Sequence, residues 1–144
     1  MEKKCIVRKL NAINKTADKF LIKEIKEEQL SILYSHTMLF EILPEDGSKL
    51  PFNEIACIWK KSKSSLSDII NKYESQGLII KCVCDEDKRS IHVSLTLEGI
   101  HIKQKLQVID KKFLNLLLKD FDEEQRDVFE ATIDKALNNI IEIF

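Results

Sequence analysis

The sequence predicts a mainly α fold with a small β-hairpin wing, an α+β arrangement. A winged helix-turn-helix is flanked by N- and C-terminal dimerisation helices. Three observations carry this. Leu66, Ile69, Ile70 and Tyr73 recur at three- and four-residue spacing and form one helical stripe that ends at Gly77. Two apolar runs, Leu78 to Cys84 and Ile91 to Leu95, flank the charged tip Asp85-Glu86-Asp87-Lys88-Arg89-Ser90. Long striped segments lie on either side, and only 3 Gly and 2 Pro in 144 residues interrupt them.

The elements follow in order. Ile6, Leu10, Ile13, Ala17, Phe20, Leu21 and Ile25 make one stripe, so a first helix runs from about Lys4 to Ile25. Glu27 to Leu43 reads as a second helix with Leu30, Leu33, Tyr34, Met38, Leu39 and Ile42 inward, stopped by Pro44-Glu45-Asp46-Gly47. Ser48 to Leu50 fits a short strand. Pro51 opens a third helix, where a missing N–H costs little; its inward positions are Phe52, Ile55, Ala56 and Trp59. Cys57 is read with them as a small buried group. A tight turn, Lys60-Lys61, leads to Ser62, a good N-cap for a helix from Lys63 to about Gln76. Two short helices joined this way form a helix-turn-helix. After the hairpin, Thr96 caps a helix to about Leu118, with Ile100, Leu106, Ile109, Phe113, Leu116 and Leu117 inward. Asp122-Glu123-Glu124-Gln125 resembles a capping box. It starts a last helix striped by Val128, Phe129, Ile133, Ala136, Leu137, Ile140, Ile141 and Phe144. The expected organisation is a single domain over 1–144: N-terminal helices over 1–43, a winged lobe over 48–96 and C-terminal dimerisation helices over 97–144. The terminal stripes exceed what a small winged core can cover, so a second subunit is the natural cover. The alternative is a monomeric bundle in which the helices fold back.

Composition narrows the function. With 44% hydrophobic and 33% charged residues the chain suits a helical protein in water. No apolar run approaches the ~20 residues of a membrane span, so no membrane partner is expected. Met1-Glu2-Lys3-Lys4 is not followed by a signal-like apolar block, which points to the cytoplasm. The net charge of −1 is unevenly spread. Residues 1–27 hold eight Lys and Arg against four acidic residues, and residues 52–96 hold seven against six. Residues 28–51 and 97–144 are net acidic.

A helix beside an arginine-tipped hairpin is an arrangement for double-stranded DNA. The polar face of the second helix of the pair presents Lys63, Ser64, Ser67, Asp68, Asn71 and Lys72, short groups able to reach base edges or phosphates. Lys61 precedes it, and Ser62, Ser64 and Ser65 lie where free backbone N–H groups can hold a phosphate. A solvated helix face has the same composition. At the hairpin tip Arg89 suits the narrow, negative minor groove. Asp87 could pin its guanidinium or tighten the turn, Lys88 reaches a phosphate, and Ser90 completes the tip. A plain charged turn has the same look.

Four cysteines in a reducing compartment are expected to be free. Cys5, beside Lys3, Lys4 and Arg8, and Cys82 and Cys84 on one strand face are candidates for redox sensing; plain packing is the leading alternative. Cys82 and Cys84 lack companions at metal spacing, so no metal is expected. His36, on the second helix, either lines a ligand pocket or is a surface or satisfied, partly buried imidazole. Trp59 and Phe52 read as core. There is no glycine-rich phosphate loop and no nucleophile–base pair, so neither enzyme activity nor a cofactor is expected.

Phe52-Asn53-Glu54-Ile55-Ala56, Ser62-Lys63-Ser64-Ser65-Leu66-Ser67, Leu78-Ile79, Asp87-Lys88-Arg89-Ser90 and Ser94-Leu95-Thr96-Leu97-Glu98-Gly99 together resemble the MarR (multiple antibiotic resistance regulator) family. The match keeps order and spacing over about half the chain. The resemblance implies a homodimer that binds a pseudo-palindromic operator and represses transcription, with the terminal helices at the dimer interface. Some relatives release DNA on binding a small lipophilic or phenolic effector; others respond to thiol oxidation, and a few to metal. Two residues depart from the family pattern. Lys60 stands where glycine is usual, so it must take a left-handed conformation or the turn must differ. Asp68 stands where arginine is common. It repels phosphates, and it could accept from a cytosine N4 amine or orient Lys72. Asp68 also favours a second reading, a winged-helix dimer that serves as a protein-interaction adaptor with weak or no specific DNA binding.

Overall fold

The structure, a computed structural model, describes residues 3–83 and 90–143. The chain divides into two compact units, Met1–Asp110 and Lys111–Phe144. Among the described residues there are six α-helices and a three-stranded sheet.

The first unit begins with α1 (Lys3–Glu27). Phe20, Leu21 and Ile25 of its stripe reach the core, whereas Ile6, Leu10 and Ile13 stay exposed. A single second helix over 27–43 does not form. Gln29 takes a left-handed conformation (φ 54°), and Leu30 N donates to Ile25 O at 3.0 Å, a C-cap that closes α1. The chain restarts as a 3₁₀ turn (Tyr34–His36) and a short α2 (Thr37–Ile42). The break resets the helical phase. Ile32 and Phe40 become core residues, while Leu33 and Met38, expected inward, are exposed. Lys103 Nζ donates to the carbonyls of Phe40, Glu41 and Leu43 at 3.0, 2.8 and 2.9 Å. It satisfies the orphan acceptors at the C-terminus of α2.

β1 (Leu50–Pro51) falls at the end of the stretch expected as a strand. α3 (Phe52–Trp59) buries Ile55 fully and packs Phe52, Ala56 and Trp59 against the core. Cys57, expected inside, is exposed. One residue past Ala56 the helix has turned by about 100°, and that position faces away. α4 (Lys63–Ser75) buries Leu66, Ile69, Ile70 and Tyr73, the stripe read from the sequence. β2 (Ile79–Val83) and β3 (Ile91–Leu95) pair antiparallel, Ile79 opposite Leu95 and Cys82 opposite His92. β1 adds to the far edge of β3, giving the order β1-β3-β2.

α5 (Leu97–Leu117) leaves the sheet directly. Thr96 Oγ1 accepts from Gly99 N at 3.1 Å and donates to Gly77 O at 2.6 Å, so the cap also ties the helix to the α4–β2 turn. Gly99 is required here. A Cβ would lie 2.1 Å from the Leu78 carbonyl oxygen, so only glycine lets the first turn of α5 come this close.

The second unit holds the end of α5 and α6 (Glu123–Ile140). The capping box at Asp122 is present: Asp122 Oδ1 accepts from Gln125 N at 2.8 Å, and Asp122 N donates to Gln125 Oε1 at 3.0 Å. Arg126 donates to Leu118 O at 3.1 Å, and Phe121 meets Phe129 edge to face at 5.8 Å. No residue of α6 is buried. Val128, Ile133, Leu137 and Ile140 stand in solvent, and so does Leu116 of α5, which was expected inward. Phe144 lies outside the described residues.

Candidate nucleic-acid interface

The site is built from one helix anchored on one side only. α3 ends at Lys60, whose φ of 56° places it in the left-handed region, and Lys61 N donates back to Ala56 O at 3.2 Å. The chain turns in two residues. Ser62 caps α4, its Oγ accepting from Ser65 N at 3.2 Å and lying 3.4 Å from Ser64 Oγ. Leu66, Ile70 and Tyr73 are sealed into the core, so the opposite face has no freedom to turn inward. That face presents Lys63, Ser64, Ser65, Asp68, Asn71 and Lys72 to solvent, with Ser67 half-buried at its margin. The sequence therefore placed the polar set correctly relative to the buried one.

Two cations lie over aromatic rings at this surface: Lys61 Nζ is 5.0 Å from the Trp59 ring centre, and Lys72 Nζ is 5.5 Å from that of Tyr73. Beneath them Tyr73 joins α4 to the segment after α1. Its hydroxyl accepts from Leu33 N at 3.1 Å. It also lies 2.7 Å from His36 Nδ1, in a hydrogen bond whose direction follows the imidazole tautomer. His36 stands edge-on to both Tyr73 and Trp59, and Phe40 stands edge-on to Tyr73 at 5.3 Å. His36 is thus hydrogen-bonded and partly buried. Burial, reinforced by the charges of Lys72 and Lys61, holds its pKa below the usual histidine value.

On the hairpin side, Ser90 shares a small recess with Pro51, Phe52, Asn53 and Ile91. Cys84, Asp87, Lys88 and Arg89, all named as candidates, lie outside the described residues. One participant is absent from the sequence reading. Lys81, on β2, donates from Nζ to Asn71 Oδ1 and pairs with Glu74 at 3.4 Å, while its backbone N–H donates to Glu74 Oε2 at 3.3 Å. Nothing in local pattern marks it; only the pairing of strand and helix in space brings it to the polar face of α4. Cys5 and Cys82 are free and half-buried, and Cys57 is free and exposed. Among the described residues no cluster of three His, Cys, Asp or Glu could hold a metal ion, and no helix is long and apolar enough to cross a membrane.

Fold and site together define a winged helix-turn-helix protein with an exposed polar face on its second helix. The chain has the MarR-family winged-helix fold. It is similar to a MarR transcriptional regulator from Methanosarcina mazei, with a TM-score of 0.81 and 19% identity over 99% of this chain and 100% of that one. It is similar to a MarR-family transcriptional regulator from Silicibacter pomeroyi, with a TM-score of 0.70 and 24% identity over 91% and 86%. A third similar structure is a mutant MarR from E. coli complexed with operator DNA, with a TM-score of 0.70 and 18% identity over 92% and 93%. No protein-family model matches the sequence, and no curated protein matches it.

Proposed function

We propose that this chain is a homodimeric, DNA-binding transcription regulator that represses from a pseudo-palindromic operator. α4 enters the major groove and the β2–β3 tip enters the minor groove. The observation that carries this is the one-sided anchoring of α4, in a fold shared with MarR regulators, one of them solved on operator DNA. Lys63, Ser64, Ser65, Ser67, Asp68, Asn71 and Lys72 then face the duplex, with Lys61 and Ser62 at its backbone. Asp87, Lys88, Arg89 and Ser90 form the wing contact. The function places the protein in the cytoplasm and calls for no catalysis. Release by a small lipophilic or phenolic effector, or by oxidation of Cys5, Cys82 or Cys84, belongs to the same reading. Labelling of free thiols before and after mild peroxide tests the oxidation arm.

The test is binding of the chain to DNA fragments from its own genome, titrated against salt. A specific fragment is expected, with half-sites about one helical turn, ~34–36 Å, apart. Arg89→Ala is expected to weaken binding with the fold intact, and each lost phosphate contact should flatten the log–log salt slope by ~0.9. Unchanged affinity and slope remove the wing from the mechanism. Absence of any shifted fragment removes the regulator.

A further inference from the structure

Lys81 sits beside the reading helix rather than on it, yet it grips a side chain of the reading face. Its ammonium donates to Asn71 Oδ1 and is itself held by Glu74 at 3.4 Å, one helical turn from Asn71. Glu74 is fixed in turn by the Lys81 backbone N–H, so strand and helix clasp each other twice. The chemistry removes the usual ambiguity of an amide. An ammonium has three donors and no acceptor, so it can face only the oxygen of Asn71. The amide NH₂ must then point away from the strand.

This matters for what Asn71 can read. Free asparagine recognises adenine by using both ends of its amide, accepting from N6 and donating to N7. With its oxygen held toward Lys81, Asn71 presents its NH₂ donors outward and cannot lay both ends of the amide along one base edge. Donors suit guanine N7 and O6 or thymine O4, and they suit adenine poorly, because the N6 amine has nothing to give its proton to. We propose that Lys81 is a specificity-determining residue that acts through Asn71, turning its donor side to the base and disfavouring adenine at one base pair of each half-site. The proposal rests on the regulator reading and deepens it.

The experiment selects bound duplexes from a randomised library and compares base preference at each position. The wild-type chain is expected to favour guanine or thymine over adenine at one position per half-site. Lys81→Met keeps the aliphatic stem, frees the Asn71 oxygen, and should move that position toward adenine by roughly tenfold in relative preference. Asn71→Ala should flatten the position, and Asn71→Ala with Lys81→Met should look the same as Asn71→Ala alone. Asn71→Asp keeps the Lys81 clasp, so folding is safe, and replaces donors by acceptors; it should move the position toward cytosine. A wild-type motif left unmoved by both Lys81→Met and Asn71→Asp overturns this proposal alone. Lys81→Met that weakens all sequences equally, without a change at any position, shows a brace or a phosphate contact and also overturns it. A wild-type chain that selects no motif overturns the regulator reading, and this proposal with it.

Discussion

His36 is the residue whose environment makes the clearest statement about pH. Its Nδ1 lies 2.7 Å from the Tyr73 hydroxyl, in a hydrogen bond. Burial, with Lys72 and Lys61 nearby, lowers the pKa in the folded chain, while the unfolded chain keeps a value near 6.5. Between these two values the unfolded state binds more protons than the folded state. Stability is therefore complete above about pH 6.5 and falls as pH drops toward the folded pKa. Glu41 and Asp110 act the other way. Burial raises both carboxyls, with Asp110 adding to Glu41, so they favour the folded state on acidification in the carboxylate range. Melting temperatures between pH 7.5 and 5.5 isolate the histidine. The wild-type chain should lose stability over that window, and His36→Gln, which can still accept from Tyr73, should lose less. Equal losses would mean that the imidazole is not the titrating group.

At the scale of elements, the turn between α3 and α4 holds a measurable strain. Lys60 sits at φ 56°, where a Cβ crowds the following carbonyl and costs roughly 1–2 kcal/mol. Lys60→Gly should raise stability by about 1 kcal/mol, and Lys60→Ala, which keeps the Cβ, should not. Chemical denaturation of the three proteins decides it; a gain from alanine as large as that from glycine would place the cost in the lysine charge instead. The two alternatives left open by the sequence, a left-handed Lys60 or a different turn, thus resolve to the first. Elements whose signal is local were legible in this way. The α4 stripe, the Ser62 and Asp122 caps and the bounds of β3 all follow from spacing and capping chemistry. The break after α1 was not, because glutamine at position 29 carries no sequence mark of a left-handed residue. The Lys81–Asn71 clasp was not legible either, since it forms only when β2 lies against α4.

For the whole molecule, the unanswered demand is apolar surface. In the second unit Ile133 is 43% exposed, Leu137 50% and Ile140 57%, along one face of α6. In the first unit Ile6, Val7 and Leu10 of α1 are likewise in solvent. Fully covering a Leu or Ile side chain contributes about 1.5–3 kcal/mol, so leaving this many bare is a cost that a second subunit would remove. Such positions read as core in the sequence because periodicity reports that a face is apolar, not which chain covers it. The proposed dimer also supplies what one copy cannot, two reading helices at a fixed separation. Ile133→Glu with Leu137→Glu puts two charges on this face of α6, where the two side chains are about half in solvent. Sedimentation at micromolar concentration should show a dimer for the wild type and a folded monomer for the double variant. Operator affinity should fall with the loss of the second reading helix, while the far-ultraviolet dichroism stays helical. A double variant that remains dimeric and binds DNA as before would move the interface off α6, and a wild-type chain that stays monomeric at every concentration would leave the apolar face of α6 without its proposed purpose.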